Sequence, residues 1–254
     1  MTFRKQNKVF ITGKIEEFHQ QGYCILKEHF AHSLIEDCRI AFLPTLHAYL
    51  TDNQQAPNRG ENRHFLPMPF ERPCFASEFF FDSEILKIVK GVMGDRIVAD
   101  QWGCDVPLFG SGYQTVHVDY QRPLFYEISN LILPAYIMVV SFGLTKITQE
   151  NGAIELAPGT HKIDREQAFR AVEGSEIKMI PIRLNIGDVL IRHPWTLHRG
   201  TPNKTVTPRP LVTIRYVRDW YWDSSRKVNS IPPSVWNSLS PEQKSMLRFP
   251  VNPK

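Results

Sequence analysis

Apolar residues early in the chain recur every three or four positions, which is the spacing of an amphipathic helix. The clearest stripe comprises Leu34, Ile35, Cys38, Phe42 and Leu46. Ser33 and Glu36 stand at the start of this stripe and fit a capping box, in which the two side chains satisfy backbone N–H groups of the first turn. We therefore predict a helix that is capped by Ser33 and packs its stripe against the core.

Two further helices are predicted in the same third of the chain. The first covers residues 15–21 and ends at Gly22, a residue that favours the end of a helix because it tolerates a left-handed backbone. The second covers residues 83–93, with Asp82 as its N-cap and Gly94 as its C-terminal stop. The first third is therefore predicted to be mainly helical.

From about residue 97 the pattern changes to short β-rich runs separated by Gly, Pro and Asn. The predicted strands are RIVADQW, YQTVHVD, YIMVVSF, AIEL, EIKMIPI, DVLIRH and LVTIRYV. A doubly wound α/β sheet needs a crossover helix after nearly every strand, and the intervals here are too short for one. The pattern predicts a mainly β fold with flanking helices (α+β), built as a sandwich or closed barrel.

The length of 254 residues suits one all-β domain of ordinary size. We expect a single domain over 1–254, with a helical part at 1–95, a β core at 96–220 and a C-terminal extension at 221–254. Within the extension, Ser240 followed by Pro and Glu predicts the start of a short helix.

Charge and cysteine content exclude several classes of protein. Lys plus Arg number 30 against 26 Asp plus Glu, a net charge of +4 without long runs of one sign, which indicates a solvated surface and not a nucleic-acid stripe. The four cysteines form no CxxC pair, so neither a zinc ribbon nor a redox dithiol is expected. No signal-peptide pattern or apolar run of ~18 residues is seen. We expect a cytoplasmic monomer or homodimer that binds neither nucleic acid nor membranes.

The triplet HVD at 117–119 is the candidate for a metal site. Alternate residues of a strand project to one face, so His117 and Asp119 would face a common point. His198 is the best third ligand because it follows a predicted strand and precedes the turn GTPN, although His193 competes with it. Two histidines and one carboxylate leave open metal positions, as in non-haem Fe(II) oxygenases. On the triplet alone, an ordinary hydrogen-bonded histidine is the simpler interpretation.

Four segments carry a resemblance to a known family: EEFHQQGYCILKEHF, YQTVHVDYQRPLF, QENGAIELAPGTHK and GDVLIRHPWTLHRGTPNKTVTPRP. In their order and spacing, over roughly residues 14–218, the chain resembles the phytanoyl-CoA dioxygenase family of Fe(II)/2-oxoglutarate oxygenases. The resemblance implies a double-stranded β-helix (jelly-roll, cupin-like) core. It also implies Fe(II) as the metal, 2-oxoglutarate and O2 as co-substrates, and His117, Asp119 and His198 as the catalytic iron ligands.

The resemblance further implies contacts with 2-oxoglutarate. Arg209, eleven residues after His198, matches the arginine that pairs with the far carboxylate, and a planar guanidinium suits a bidentate contact of this kind. Gln114 matches a glutamine that lies near the keto acid. Many relatives carry a serine two residues after the distal histidine, where this chain has Gly200, and Thr201 is the candidate to supply the missing hydroxyl.

The reaction implied is oxidation of a small organic molecule, with release of succinate and CO2. Halogenases of this chemistry replace the carboxylate ligand by Gly or Ala, whereas Asp119 is intact, so hydroxylation, or a related oxidation such as desaturation or ring formation, is expected instead of halogenation. A secondary metabolite or amino-acid derivative is the expected substrate, and His161 is expected to be structural. Candidate substrate contacts are Trp102, Tyr113, Tyr120 and Arg122, together with the aromatic cluster 220–222. The alternatives are a catalytically silent barrel and a Zn-dependent cupin-like barrel that binds a small molecule.

Overall fold

The computed structural model describes residues 3–52, 56–119, 132–223 and 229–252, with side chains from residue 7 onward. Its helices are α1 (Phe3–Gln21), α2 (His32–Thr51), α3 (Ser77–Phe81), α4 (Ser83–Met93), α5 (Arg165–Glu173), α6 (Pro233–Ser238) and α7 (Pro241–Ser245). Its strands are β1 (Tyr23–Leu26), β2 (Arg63–Pro67), β3 (Ile97–Pro107), β4 (Ile137–Gly143), β5 (Glu155–Leu156), β6 (Ile180–Pro181), β7 (Val189–Arg192), β8 (His198–Arg199) and β9 (Leu211–Arg218).

Two sheets form the centre of the described part of the chain. The larger has six strands in the order β1-β7-β4-β9-β3-β2, and the smaller has three in the order β6-β5-β8. All pairings between these strands are antiparallel. The prediction of a mainly β fold with flanking helices is thus confirmed, and two such sheets around a shared interior are the jelly-roll arrangement.

Strand β4 shows how the larger sheet is used on both faces. All seven of its residues are buried, as expected for a strand covered on both sides. Met138, Val140 and Phe142 pack into the main hydrophobic core with the helices. Val139 and Ser141 point to the opposite face, where they line a cavity. One face of the sheet therefore holds the fold together, and the other is free to carry chemistry.

Helix α2 confirms its predicted apolar stripe and corrects its predicted cap. Ile35, Cys38, Phe42 and Leu46 are buried against the core. The helix begins two residues earlier than a cap at Ser33 implies, at His32, with Ala31 at the N-cap position and no side-chain cap. Because the Ala31 carbonyl accepts the first helical hydrogen bond, from the N–H of Ile35, Ser33 lies inside the first turn. The capping box predicted at Ser33 is therefore wrong.

The predicted ends of the other helices are confirmed. Asp82 caps α4 by accepting hydrogen bonds from the N–H groups of Glu84 and Ile85, and Gly94 follows the helix with a φ of +85°. Gly22 ends α1 with a φ of +80°, although α1 begins far earlier than predicted, at Phe3. In the C-terminal extension, Ser240 caps α7 in a capping box.

The segment 113–119 is not the predicted strand. Its only ladder contact among the described residues is a single antiparallel bridge between His117 and His198. The predicted strand EIKMIPI is likewise reduced to β6, and β2 and α5 were not predicted. The conformation of these segments depends on the elements they pack against, which the local pattern does not contain. Across the described ranges, the helices are too short or too polar to cross a lipid bilayer.

Candidate metal centre and cavity

The three predicted metal ligands lie together in the structure. One ligand atom from each of His117, Asp119 and His198 lies within 4.8 Å of the others. The ring centroids of the two histidines are 4.4 Å apart, and Nε2 of His198 lies 3.7 Å from Oδ1 of Asp119. The three side chains therefore face a common point and could bind one metal ion together.

Backbone hydrogen bonds hold the two ligand segments against each other. The N–H of His117 donates to the carbonyl of His198, and the N–H of His198 donates back to the carbonyl of His117, each at 2.9 Å. The N–H of Asp119 donates to the carbonyl of Pro194 at 2.9 Å. These contacts fix the relative position of the ligands although His117 and Asp119 are outside a regular strand.

Each histidine has its ring orientation set by a backbone carbonyl. Nδ1 of His117 lies 2.7 Å from the Thr115 oxygen, and Nδ1 of His198 lies 2.9 Å from the Thr196 oxygen. A carbonyl oxygen only accepts, so Nδ1 carries the proton in both rings. In a neutral ring with this tautomer, Nε2 has a free lone pair, which is the state that binds a metal.

Asp119 is kept ionised by a neighbouring arginine. Arg192 donates from Nη2 to Oδ2 of Asp119 at 2.7 Å. Burial by itself would raise the pKa of the Asp119 carboxyl, but the Arg192 charge and His198 hold this pKa well below its usual range. Burial also lowers the pKa of His198, and the Arg192 charge acts in the same direction. The site thus contains one carboxylate and a neutral imidazole at position 198, the protonation states that a cation requires.

A cavity of about 340 Å³ extends from these three residues. Its middle is lined by one row across the larger sheet, in which Leu190, Ser141 and Thr213 are register partners. The hydroxyl groups of Ser141 and Thr213 lie 3.4 Å apart. The middle of the cavity therefore offers apolar and hydroxyl surface without a charge from these three residues.

A second charged group lies at the other end of the cavity. Nη1 of Arg63 and Nη2 of Arg209 each lie 3.1 Å from Oδ2 of Asp105. Both guanidinium groups are buried, with 1% of each residue exposed. Nε of Arg63 and both Nε and Nη1 of Arg209 have no hydrogen-bond partner among the described residues. This end of the cavity therefore has buried donors that an anion could satisfy.

The other residues expected to bind 2-oxoglutarate have different surroundings. Gln114 lines the cavity, but its Oε1 accepts from the N–H of Gly200 and its Nε2 donates to the carbonyl of Arg59, each at 2.8 Å. The hydroxyl of Thr201 donates to the carbonyl of Ala153 at 2.8 Å. Thr201 does not line the cavity, so the expectation that its hydroxyl replaces the missing serine is corrected.

Trp102 and Tyr113, expected to contact substrate, do not line the cavity. Trp102 faces the core, where it contacts Phe79 and Phe80 and donates its indole N–H to the Pro69 carbonyl. The ring of Tyr113 is exposed and stacks on a surface arginine. Both expectations are corrected, since neither side chain points into the cavity.

Two of the remaining candidate contacts are not described by the structure, and the others lie away from the cavity. Tyr120 and Arg122 lie outside the described residues. The aromatic cluster 220–222 is also absent from the cavity lining. Within it, Trp220 and Trp222 are exposed.

His193, the competing ligand candidate, lies beside His161 and away from the three proposed ligands. His193 is buried, its ring centroid is 5.2 Å from that of His161, and its Nδ1 accepts from the N–H of Trp195. Neither ring belongs to the group around Asp119. The choice of His198 over His193 is thus consistent with the geometry. His161, which was expected to be structural, also lies outside the candidate metal site.

Five charged residues that line the cavity were missed from the sequence: Arg59, Arg63, Asp105, Arg192 and Asp223. Of these, Arg63, Asp105 and Arg192 lie within strands that are mostly buried. A charge inside an otherwise buried strand requires a partner or a ligand, and this signal could have identified Asp105 and Arg192. Arg63 carried no comparable signal, because β2 itself was not predicted.

The geometry defines a class of protein. Two imidazole Nε2 atoms and one ionised carboxylate on one side of a polar cavity are the donor set of non-haem Fe(II) proteins with open coordination positions. The unpartnered donors of Arg63 and Arg209 fit a second requirement, a place for the charged end of an acidic co-substrate. The residues present therefore fit both Fe(II) and 2-oxoglutarate.

Comparison with known proteins agrees with this class. Residues 18–211 match the family described as phytanoyl-CoA dioxygenase (PhyH). Dioxygenase lolE1 of Epichloe uncinata is 27% identical over 253 residues, covering 87% of this chain and 91% of that protein. The structure of SnoN, the non-haem alpha-ketoglutarate-dependent epimerase from nogalamycin biosynthesis, matches with a TM-score of 0.63 at 14% identity, over 83% of this chain and 84% of that chain. HygX of Streptomyces hygroscopicus, solved with nickel and 2-oxoglutarate bound, matches with a TM-score of 0.62 at 16% identity. The match covers 82% of this chain and 87% of that chain.

The family match covers most of the chain, so this protein belongs to the phytanoyl-CoA dioxygenase family of Fe(II)- and 2-oxoglutarate-dependent enzymes. The likeness to SnoN and HygX confirms the predicted jelly-roll core. Fe(II) is accordingly the cofactor, with 2-oxoglutarate and O2 as co-substrates.

Proposed function

We propose that this protein is a hydroxylase in which His117, Asp119 and His198 bind Fe(II), and Arg209 binds the distal carboxylate of 2-oxoglutarate. The observation that carries the proposal is the convergence of the three ligand atoms within 4.8 Å of one another. The cavity then leads from these ligands to Arg209. An elongated keto acid bound in this cavity would place its metal-binding end at the three ligands and its distal carboxylate at Arg209.

The protein's own residues supply binding, orientation and charge. When Fe(II) is bound, the chemistry available is decarboxylation of 2-oxoglutarate to succinate and CO2, with one oxygen atom of O2 entering succinate and the other entering the hydroxylated product. Arg192 holds Asp119 ionised, and the Thr115 and Thr196 carbonyls hold both histidine rings in the metal-binding tautomer.

The substrate is proposed to be a small organic molecule, of the size of a secondary metabolite or amino-acid derivative. A volume of about 340 Å³ is near the lower end of the usual range for small-molecule sites. Hydroxylation is proposed over halogenation because Asp119 occupies the position that a halide would need. Ser141, Thr213 and Leu190 provide mixed polar and apolar surface beside the metal centre.

We also propose that residues 1–254 form one domain, with a helical part at 1–95, the β core at 96–220 and the extension at 221–254. This is supported by the main hydrophobic cluster, to which all three parts contribute. Phe42 comes from the helical part, Met138 from the β core, and Leu247 from the extension.

The experiment is to measure iron content and turnover in matched histidine and aspartate variants. Protein loaded anaerobically with Fe(II) and then given 2-oxoglutarate and air should produce succinate. His117→Ala and Asp119→Ala should each lose bound iron and turnover. His161→Ala, which removes an imidazole outside the group, should keep its iron. Full iron content and turnover in Asp119→Ala would contradict the proposed ligand set, and binding of Zn(II) without any succinate would favour the Zn-dependent alternative.

A further inference from the structure

The end of the cavity remote from the metal ligands holds more positive charge than one co-substrate arginine requires. Arg63 on β2 and Arg209 before β9 both contact one oxygen of Asp105 on β3. Both guanidinium groups are buried. Asp105 is one carboxylate between two buried guanidinium groups, and a buried cation is strongly unfavourable unless it is paired. An anion bound at this end of the cavity would offset the second positive charge.

The unpartnered N–H donors of the two arginines also indicate an anion at this end of the cavity. Nε of Arg63, Nε of Arg209 and Nη1 of Arg209 are buried and have no partner in the described part of the chain. A carboxylate accepts several hydrogen bonds and pairs well with guanidinium donors. Both arginines line the cavity and contact the same oxygen of Asp105. A carboxylate that reaches the Arg209 guanidinium therefore also lies near the Arg63 guanidinium.

Gly200 shows that the position of Arg63 is built into the fold. A Cβ atom at residue 200 would lie 2.4 Å from Nη1 of Arg63 and 2.7 Å from Oε1 of Gln114. Arg63 cannot easily move away, because its Nη2 donates to the Thr201 carbonyl at 2.6 Å and its Nη1 contacts Asp105. The absence of a side chain at position 200 therefore leaves room for the Arg63 guanidinium beside the cavity.

We propose that Arg63 is a second co-substrate-binding residue, which together with Arg209 holds the distal carboxylate of 2-oxoglutarate while Asp105 neutralises the other positive charge. This rests on the proposed function. It makes the site selective for 2-oxo dicarboxylic acids over 2-oxo monocarboxylic acids such as pyruvate, which carry no distal charge. In this chain, the co-substrate contact that relatives make with a serine at the position of Gly200 would be made by the guanidinium of Arg63, on β2.

The test measures binding of two keto acids to the Fe(II)-loaded protein without O2, through the visible charge-transfer band of the complex. Arg63→Met should weaken 2-oxoglutarate binding by about tenfold or more, the size expected for loss of a charged hydrogen-bonding partner. Binding of pyruvate should change by less than about threefold, since pyruvate places no charge at this end. Affinity for the metal alone should be unchanged. Arg39→Met, on the surface of α2, is the matched control and should bind both acids as the wild type does.

A second variant keeps the test valid if Arg63→Met fails to fold. Gly200→Ala keeps both charges but forces the Arg63 guanidinium to move, and it should show the same selective loss of 2-oxoglutarate binding. Unchanged 2-oxoglutarate affinity in either folded variant, or an equal loss for both keto acids and the metal, would overturn the role of Arg63. Failure of the wild-type protein to bind either keto acid would instead contradict the proposed function itself.

Discussion

The carboxylate of Asp119 is kept ionised by its neighbours, chiefly Arg192. It lies in a mostly buried position that by itself would raise its pKa, and Arg192 at 2.7 Å, together with His198, reverses this effect. The same contact with Arg192 occupies Oδ2, so Oδ1, which lies 3.7 Å from Nε2 of His198, is the oxygen left for the proposed metal. Arg192 thus determines both the ionisation and the orientation of one proposed iron ligand.

Two buried histidines away from the metal centre make stability depend on pH. Burial lowers the pKa of His193 to about 3 and that of His161 to about 4. An unfolded histidine titrates near pH 6.5, so below that pH the unfolded chain binds protons that the folded protein excludes. The free energy of unfolding should therefore fall as the pH falls from about 6.5 towards 4, by about 2 kcal/mol for each of these residues at pH 5.

Urea unfolding of the wild type and of His193→Asn at pH 7 and pH 5 measures this effect. Asparagine keeps a hydrogen-bond acceptor for the N–H of Trp195 but cannot bind a proton. The stability difference between the two pH values should shrink by about 2 kcal/mol in the variant. His47→Asn, at an exposed position of α2, is the control and should keep the wild-type difference. An equal difference in wild type and His193→Asn would show that His193 is not responsible.

At the scale of elements, the larger sheet separates stability from function. Alternate residues of β4 pack against the helices or line the cavity, and β7 and β9 place Leu190 and Thr213 beside Ser141. The proposed metal ligands lie at the margin of this frame, with His198 on β8 and the other two on a segment held by one β-bridge. Regular strands therefore form much of the cavity wall, and two of the three proposed ligands come from a segment outside them.

The cap of α4 is a testable support of this frame. Asp82 accepts two backbone N–H groups at the start of the helix and also contacts Nε2 of His29 at 2.9 Å. Asp82→Ala should lower the free energy of unfolding by about 1 kcal/mol, with a smaller loss for Asp82→Asn, which still accepts a hydrogen bond. Chemical denaturation measures both. Asp95→Ala, at an exposed position after the same helix, should change stability by less than about 0.5 kcal/mol, and a loss equal to that of Asp82→Ala would argue against the cap.

An element could be predicted from the sequence where neighbouring residues determine it, and not where long-range packing does. The stripe of α2 and the caps of α4 and α7 follow from neighbouring residues, and the structure confirms them. The segment 113–119 looks like a strand because it alternates, but its backbone pairs with only one residue of β8 among those described. Ser33 fits a cap motif, yet the N-cap lies two residues earlier, at Ala31. These outcomes depend on long-range packing, which a local pattern does not contain.

At the scale of the whole molecule, the cavity has charged groups at two ends and neutral surface between them. The ligand end has Asp119 and Arg192, and the far end has Asp105 with two arginines. This arrangement fits an elongated, doubly charged co-substrate better than a neutral ligand. A silent barrel would have no need for the buried, unpartnered donors at the far end.

The sequence indicated the proposed ligands and Arg209 because a family resemblance covered those motifs. It did not indicate Arg63 or Asp105, because they come from strands that are distant in sequence and meet only through the pairing of β2 with β3. It also suggested Trp102 as a substrate contact, whereas the pleat of β3 directs this side chain into the core. Contacts that depend on which face of a strand is inward require the structure.

The most direct test of the central claim is the absorption spectrum of the Fe(II)-loaded protein on anaerobic addition of 2-oxoglutarate. If His117, Asp119 and His198 hold the metal with open positions for the keto acid, a visible charge-transfer band should appear in the wild type and be lost in Asp119→Ala. A wild-type protein that binds iron but gives no band, or an Asp119→Ala variant with the full wild-type band, would contradict this account.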